Sequence, residues 1–310
     1  MPHRDPRQPT PLSVRNLPIW AWRTARADRR RYRSQPRPLS LARMGRTLAP
    51  HLDNAVFVVG ADRSGTTFLG NSLSTLRGVS YHHEPIATKA AARYVYDGAW
   101  GYRRAALFYR SVYAWLMRIH ADGDLRFAEK TPSNSFVIPF LARAFPDALF
   151  IHIVRDGRDA TASHLRQPWL LSSSSAMNRR EPGGYRYGPD SRFWVERERR
   201  VEFESTTDAH RCIWSWRRHT EAALVDGRRL ATRYLEVRYE DLVGNPLEQA
   251  RVILEFLQVR DQASARAFSA ALSEAQAGSI GRWRRELDDA ALATIEAEAG
   301  SLMRLLGYDP

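Results

Sequence analysis

Residues 55–69 have the residue types and spacing of an anion-binding turn. An apolar strand leads into a polar turn, and a helical pattern follows. Gly60 and Gly65 have the spacing of a phosphate loop, in which glycines let backbone amides point at an anion and a helix N-terminus adds positive potential. The residues at the second glycine are Arg63, Ser64, Gly65, Thr66 and Thr67. Glycine spacing alone is typical of many strand-turn-helix connections, but this polar string favours a binding role.

The loop lacks the lysine that nucleoside-triphosphate enzymes place after the second glycine. Thr66 occupies that position, and Arg63 supplies positive charge earlier in the loop. A magnesium-dependent enzyme would also carry an acidic residue at a neighbouring strand end, whereas the strand 150–154 is followed by Arg155. The residues therefore indicate a phosphate-like group bound without a metal ion.

A second strand, polar turn and helix repeat this arrangement after residue 151. Arg155 leaves the strand, and Ser163 follows inside the next helix. A guanidinium offers a bidentate fork and a hydroxyl adds a directed donor, so the pair can converge on one phosphate. Arg158 is open to two interpretations, either a further ligand or an ion-pair partner of Asp156 or Asp159.

These motifs need a parallel sheet to bring them together. Short apolar runs alternate with helical patterns, as in an α/β fold. We expect a three-layer fold of the phosphate-loop type, with a central parallel sheet flanked by helices. The predicted strands are residues 55–59, 79–82, 125–128, 149–154 and 234–238. Residues 167–203 have no clear period and predict a long lid or acceptor-binding segment.

The two anion motifs resemble the donor-binding motifs of sulfotransferases that use 3'-phosphoadenosine 5'-phosphosulfate (PAPS). Residues 127–132, 237–242 and 281–287 agree with the same family, and the likeness extends over roughly residues 54–308. It is greatest to the bacterial and Golgi-type carbohydrate and tyrosyl-protein branch. The resemblance implies transfer of a sulfuryl group from PAPS to an acceptor hydroxyl, with adenosine 3',5'-bisphosphate (PAP) as product and no metal.

The resemblance also implies roles for individual residues. The loop 63–67 would surround the 5'-phosphosulfate, and Arg155 with Ser163 would bind the 3'-phosphate. A late loop, residues 278–284, would close over the nucleotide. Within it, Arg282 is the expected 3'-phosphate contact, and Trp283 either packs beside the nucleotide or belongs to the core.

The reacting end requires a proton acceptor and positive charge near the leaving group. The chain has only two lysines, Lys89 and Lys130. Lys130 resembles the catalytic lysine of the family, with a surface lysine as the alternative. Glu84, which follows the second strand, is the first choice of base, and His83 is the second because its ordinary pKa is near 6.5. Adjacent histidines on a strand point to opposite faces, so His82 and His83 make a poor metal chelate.

The formal net charge of +13 is concentrated in the first part of the chain. Residues 1–50 hold twelve arginines with only Asp5 and Asp28 as acids, and so carry +10 of that charge. We expect an Arg- and Pro-rich arm, partly disordered and solvated, ahead of a sulfotransferase domain at residues 51–310. Weak contact of the arm with a membrane surface is the second interpretation, and contact with nucleic acid is the third.

The sequence says less about the cellular location and the acceptor than about the donor. A single cysteine, Cys212, and the lack of an apolar leader or long apolar run predict a cytoplasmic protein. A small-molecule or glycan hydroxyl is the expected acceptor, with a phenol second, and Tyr185, Tyr187 and Trp194 could stack on its ring. The oligomeric state is open. The alternative functions are a metabolite kinase of the phosphate-loop class and a catalytically inactive nucleotide- or RNA-binding relative.

Overall fold

Five parallel strands form one sheet at the centre of the protein. The computed structural model describes residues 12, 16–30, 32, 41–181, 183–275 and 277–308. The strand order is β2-β3-β1-β4-β5, and every neighbouring pair is parallel. The strands are β1 (Val56–Val59), β2 (Val79–His83), β3 (Arg126–Lys130), β4 (Leu149–Val154) and β5 (Tyr234–Arg238). The predicted α/β fold with a central parallel sheet is confirmed.

Helices cover both faces of this sheet. In chain order they are α1 (Leu17–Arg29), α2 (Leu41–Leu48), α3 (Thr66–Leu73), α4 (Ile86–Tyr96), α5 (Tyr102–Ile119), α6 (Ile138–Ala144), α7 (Gly157–His164), α8 (Arg200–Ser205), α9 (Asp208–Gly227), α10 (Tyr239–Gly244), α11 (Pro246–Phe256), α12 (Gln262–Ser273), α13 (Trp283–Glu286) and α14 (Asp289–Leu305). None of these helices, within the described residues, has the length and apolar character needed to cross a membrane.

Successive side chains of β1 point to opposite faces of the sheet and contribute to a separate hydrophobic cluster on each face. Phe57 and Val59 belong to the cluster that α4, α5 and α6 complete, whereas Val56 and Val58 pack with α3, α11 and α12. All four side chains are buried, as expected for a central strand of a parallel sheet. A third cluster joins α7, α9 and α14 beside the end of β4.

Strand β3 begins one residue later and ends two residues later than the sequence predicted. Its last residues, Glu129 and Lys130, are polar, so the apolar pattern ends at Ala128. Both are nevertheless buried, because Glu129 accepts hydrogen bonds from the hydroxyls of Tyr113 and Thr131 and from the Asn134 amide. Tertiary hydrogen bonds therefore extend the strand into residues that local sequence would place outside it.

Part of the predicted arm is a packed helix. Trp20, Thr24 and Asp28 of α1 are buried, and the Thr24 hydroxyl accepts the backbone N–H of Ala87 at 3.1 Å. The prediction of a solvated arm is therefore wrong for α1, because these side chains occupy one side of the helix and pack onto the domain. Residues 1–11, 13–15, 31 and 33–40 of the predicted arm lie outside the described residues.

A buried carboxylate holds the end of α1 to the sheet. Asp28 Oδ2 is 3.0 Å from Nδ1 of His82 on β2 and 2.8 Å from Nε2 of His120, which follows α5. Burial alone would raise the pKa of Asp28, but the charges and hydrogen bonds of the two histidines lower it to about 2. The carboxylate is therefore ionised and links three elements of the fold.

We expect Gly60→Ala to destabilise the protein by about 1–3 kcal/mol, the range for strained backbone positions. Gly60 has φ +133°, and an added Cβ would lie 2.4 Å from the backbone oxygen of Ile153. Urea unfolding followed by circular dichroism measures the change. Gly244→Ala is the control, since no atom lies within 4 Å of its added Cβ. Equal stability of the two variants would contradict the close approach of this loop to β4.

Candidate active site

The turn after β1 has the shape of an anion cradle. Gly60, Arg63 and Gly65 have φ values of 133°, 69° and 92°, and α3 begins directly after Gly65. A Cβ on Gly65 would lie 2.4 Å from the ring of Tyr239, so only glycine fits there. The amide of Gly60 donates to Ser135 Oγ at 3.1 Å, which ties the turn to the segment after β3. A non-glycine residue with positive φ, such as Arg63, is uncommon and indicates a constrained site.

The two predicted anion motifs meet in the structure. Arg63 Nε donates to Ser163 Oγ at 3.1 Å, and Arg155 Nη1 donates to the carbonyl of Arg63 at 3.1 Å. The guanidinium of Arg155 also lies over the ring of Tyr239, 4.6 Å from its centroid. The ends of β1 and β4 therefore place Arg63, Arg155 and Ser163 in one cluster, although Arg63 is about a hundred residues from the other two in the chain.

Several buried polar atoms at this cluster have no hydrogen-bond partner within the described part of the chain. They include Ser64 Oγ in the loop and Arg155 Nε. An unsatisfied buried donor is costly, and a native structure normally supplies a partner such as a ligand or water. These atoms are therefore available to an anionic ligand.

Arg158 is an ion-pair partner of Asp156, which is the second of the two roles considered for it from the sequence. Its side chain makes hydrogen bonds of 2.8–3.2 Å to both oxygens of Asp156 and lies 4.2 Å from the ring centroid of Trp283. Asp159, by contrast, accepts the backbone N–H groups of Gly281 and Trp283 at 2.7 and 3.1 Å. Helix α7 thus holds the late loop beside the Arg155 and Ser163 cluster.

The late loop is also fastened at its beginning. The carbonyl of Ser279 accepts a hydrogen bond from Arg155 Nη2, and the Ser279 hydroxyl lies 2.8 Å from the Tyr239 hydroxyl. Arg282 itself pairs with Glu286 at 3.0 Å, and Glu286 also pairs with Arg166. These contacts hold the loop beside Arg155, and the guanidinium of Arg282 is bound to Glu286. The role of Arg282 at the 3'-phosphate stays a prediction.

Both lysines of the chain converge on Glu84. The Lys130 ammonium donates to Oε1 of Glu84, and the Lys89 ammonium donates to Oε2 at 2.8 Å. The register places His83 of β2 opposite Lys130 of β3, and the Glu84 amide donates to the Lys130 carbonyl at 2.9 Å. Glu84 has φ +45°, so the chain turns sharply at the carboxylate. The parallel pairing of β2 and β3 therefore assembles this cluster.

The charge balance at Glu84 decides its protonation. Burial by itself would raise the pKa of this carboxylate, but Lys130, Lys89 and His83 together hold the pKa well below its ordinary value of 4.5. Burial likewise opposes the charge on Lys89, yet Glu84 raises the pKa of its ammonium above the usual value. The carboxylate and the Lys89 ammonium are therefore both charged at neutral pH.

The two adjacent histidines have separate environments. His83 Nε2 lies 3.8 Å from Glu84 Oε1, and His83 lines the cavity described below. His82 is fully buried on the opposite side, where it contacts Asp28. The alternation along β2 thus gives one histidine to the cavity and the other to the attachment of α1.

A cavity of about 830 Å³ opens between the loop, the two lysines and the segment 167–203. Its walls include Thr66 and Thr67 of the loop together with Glu84 and Lys130. The 167–203 segment contributes the aromatic wall, with Trp169, Tyr185, Tyr187, Phe193 and Trp194. The cavity thus connects the anion cradle to the predicted acceptor-binding residues, which is the arrangement that a group transfer between two ligands requires.

Arg192 holds the 167–203 segment in place. It is buried, donates to the carbonyls of Trp169 and Arg186 at 2.8 and 2.9 Å, and pairs with Glu181 at 3.2 Å. Burial raises the pKa of Glu181, and the nearby carboxylate of Glu84 adds to that effect. One buried guanidinium therefore organises a stretch that has almost no regular secondary structure.

Sequence reasoning missed several residues that line the cavity, among them Lys89, His164, Glu181 and Arg192. The scarcity of lysine is the only local signal that distinguishes Lys89. His164 is buried, its Nε2 has no hydrogen-bond partner within the described residues, and burial lowers its pKa to about 4. A neutral imidazole at this position can donate or accept a hydrogen bond without adding charge to the cavity.

Among the described residues, two clusters have donor atoms of the kinds that bind metals. One is Asp28 with His82 and His120, and the other is Glu202 with His210 and Glu298. In the first, both imidazoles contact the carboxylate, and in the second Glu298 also pairs with two arginines. These mutual contacts account for both clusters without an ion, and neither lies among the residues that line the cavity.

Comparison with known proteins assigns the family. The sequence profile of the sulfotransferase family matches residues 55–263, which is most of the chain. The omega-hydroxy-beta-dihydromenaquinone-9 sulfotransferase Stf3 of Mycobacterium bovis, and that of Mycobacterium tuberculosis, are 26% identical over 161 residues. That alignment covers 51% of this chain and 35% of those relatives, so the chain matches about a third of their length.

A solved structure agrees on the fold. The sulfotransferase domain of the Synechococcus PCC 7002 olefin synthase is 19% identical, with a TM-score of 0.50. The match covers 90% of this chain and all of that domain. The profile match over residues 55–263 assigns the family. The five-stranded parallel sheet and the anion cradle after β1 are consistent with that assignment. The chain belongs to the sulfotransferase family.

Proposed function

We propose that the protein transfers a sulfuryl group from PAPS to an acceptor hydroxyl. The observation that carries this proposal is the cavity that joins Arg63 to the ion pair of Lys130 and Glu84. Arg63 in turn contacts Arg155 and Ser163. One end of the cavity fits a phosphorylated donor and the other contains the groups that proton and charge transfer require. Membership of the sulfotransferase family supports the same reaction.

The donor site needs no metal ion in this proposal. Arg63 and the amides at the start of α3 supply positive potential to the 5'-phosphosulfate, together with Ser64, Thr66 and Thr67. Arg155 and Ser163 bind the 3'-phosphate, and Arg155 Nε and Ser64 Oγ are buried donors without a partner within the described residues. Arg282 would join the 3'-phosphate by exchanging its pairing with Glu286 for the ligand.

The reaction forms one S–O bond and breaks another. The acceptor oxygen attacks sulfur in line with the bridging oxygen of PAPS, the S–O bond to that oxygen breaks, and PAP leaves with the electron pair. Lys130 stabilises the charge that develops on the bridging oxygen, and Glu84 accepts the acceptor's proton. Movement of Lys130 from Glu84 toward the donor removes one positive neighbour and raises the pKa of Glu84, which makes the carboxylate a better base.

The acceptor class is proposed from the walls of the cavity. The walls combine aromatic side chains such as Tyr185, Tyr187 and Trp194 with the polar groups of Glu181 and Arg192. Aromatic faces beside hydrogen-bonding groups suit a sugar ring, so a carbohydrate or glycolipid hydroxyl is the first choice and a phenol the second. Stf3, by its name, acts on a hydroxylated menaquinone, which is compatible with an acceptor that carries a lipid.

We also propose a cytoplasmic location, because the single cysteine, Cys212, is a buried free thiol and a reducing compartment keeps thiols in that state.

We expect PAP to bind in the presence of EDTA and ATP to bind weakly under the same conditions. Isothermal titration calorimetry measures both. Arg155→Ala should weaken PAP binding at least about tenfold, since it removes a buried charge-assisted contact. Arg251→Ala is the control, because Arg251 is exposed and pairs only with carboxylates of its own helix. Binding of ATP alone, restored by magnesium, would replace this proposal with the metabolite kinase.

We expect Glu84→Gln to reduce kcat about 10²–10⁴-fold, the usual contribution of a general base, while PAP affinity stays unchanged.

Lys89→Gln removes one of the positive charges that lower the pKa of Glu84, so the acidic limb of the pH profile of kcat/KM should move to higher pH. His83→Asn removes a smaller contribution of the same sign, so it should move the limb in the same direction by less than Lys89→Gln does. An acidic limb near pH 6.5 that disappears in His83→Asn would instead assign the base to His83.

A further inference from the structure

Three neighbouring helices expose an unusual amount of apolar surface. Fourteen large apolar side chains of the described residues are exposed, and half of them belong to α1, α2 and α5. We call this surface the α1–α2–α5 face. Its apolar members are Ile19, Trp22, Leu41, Met44, Leu48, Leu107 and Trp115, with exposed fractions of 42–87%. Scattered apolar residues need no explanation, but this concentration marks an interaction surface.

The spacing of these residues produces continuous apolar strips. Leu41, Met44 and Leu48 recur at the i, i+3, i+7 positions of α2 and so share one side of the helix. Between α1 and α5 lies a groove of about 550 Å³ whose apolar wall includes Pro18, Trp22, Val112 and Trp115. Both features open to solvent within the described part of the chain.

The same helices carry a strongly positive charge. They contain nine arginines and a single acidic residue, Asp28. Asp28 is buried and bound to His82 and His120, so it does not offset charge at the surface. Arg110 and Arg118 line the groove itself. Exposed apolar side chains among arginines, with no exposed acid on the three helices, are typical of segments that lie in the interface of an anionic membrane.

The three helices are joined into one surface. Helices α1 and α2 both pack against α5. The guanidinium of Arg118 on α5 donates to the carbonyl of Leu48 at 2.9 and 3.2 Å, and Arg43 on α2 donates to the carbonyl of Ala121 at 3.0 Å. The α1–α2–α5 face can therefore engage a partner as a unit.

We propose that the α1–α2–α5 face docks the protein on an anionic lipid bilayer. Aromatic and aliphatic side chains would enter the headgroup boundary, and the arginines would contact lipid phosphates. Each arginine near such a surface strengthens partitioning about fivefold. A second copy of the chain fits less well, because it would bring two sets of nine arginines together without carboxylates between them.

Docking through this face would place the cavity near the lipid surface. Arg30, at the end of α1, and Tyr32 line the cavity that contains Glu84 and Lys130. An acceptor hydroxyl carried by a membrane lipid can then enter while its apolar part stays in the bilayer. This step about the acceptor rests on the proposed function, whereas membrane docking does not.

The test is co-sedimentation of the full chain with vesicles of phosphatidylglycerol and phosphatidylcholine, and with vesicles of phosphatidylcholine alone. The triple variant Trp22→Gln, Met44→Gln, Leu107→Gln removes apolar side chains from the face. The matched control is Val201→Gln, Leu247→Gln, Leu305→Gln, whose wild-type side chains are 69–79% exposed elsewhere on the molecule. PAP binding of each variant is measured separately and reports whether the nucleotide site is intact.

We expect binding to the anionic vesicles, weaker binding at 0.5 M than at about 0.1 M salt, and little binding to neutral vesicles. The face variant should lose at least about tenfold in partitioning, while the control variant binds as the wild type does. Absence of vesicle binding, equal binding to both vesicle types, or equal loss in both variants would overturn the proposal. A dimer that only the face variant loses would assign the face to a second copy instead. Failure of PAP binding in the wild type would contradict the donor proposal alone.

Discussion

All five strands run in the same direction, and the chemistry of the protein depends on this constraint. In a parallel sheet the carboxyl ends of the strands share one edge. The order β2-β3-β1-β4-β5 therefore gathers Glu84, Lys130, the loop after β1, Arg155 and the start of α10 along a single line. Each strand end alone would present an isolated polar turn. Together they form a site with an anion cradle at its centre and an ion cluster to one side.

Burial of charge at this edge requires partners for every ionised group. Lys130 has a side chain only 2% exposed, and removing such a charge from water is costly unless an opposite charge lies close by. Glu84 provides that charge and is itself neutralised by Lys89. The cluster then contains two ammonium groups and one carboxylate, with His83 nearby. This excess of positive charge is what an incoming sulfate and phosphate would meet.

The arginines of the protein serve different purposes. Arg155 and Arg63 lie at the cradle, whereas Arg192 and Arg211 bond to several backbone carbonyls of irregular segments away from it. A guanidinium has five donors in a fixed plane, so a single buried arginine can satisfy a loop that makes few hydrogen bonds of its own. The remaining arginines on α1, α2 and α5 face outward. Net charge by itself does not distinguish these three uses.

The sequence by itself determined the strands, the glycine turn after β1 and the Arg155 motif, because each depends on neighbouring residues. Apolar runs and glycines at turns are local patterns. The order of motifs along the chain was also enough to indicate the family. For Arg158 the sequence left two roles open, a ligand of the anion or an ion-pair partner. The positions of Asp156 and Trp283 in the structure decided for the ion pair.

Tertiary structure alone decided the pairing of Lys89 with Glu84, the packing of α1, and the contact between Arg63 and Ser163. The last two residues are about a hundred positions apart, and α1 is attached through histidines on β2 and after α5. Glu129 and Lys130 extend β3 against their local preference for the same reason. Contacts over such separations depend on the register of the strands and on how the helices cover the sheet, and no local pattern encodes either.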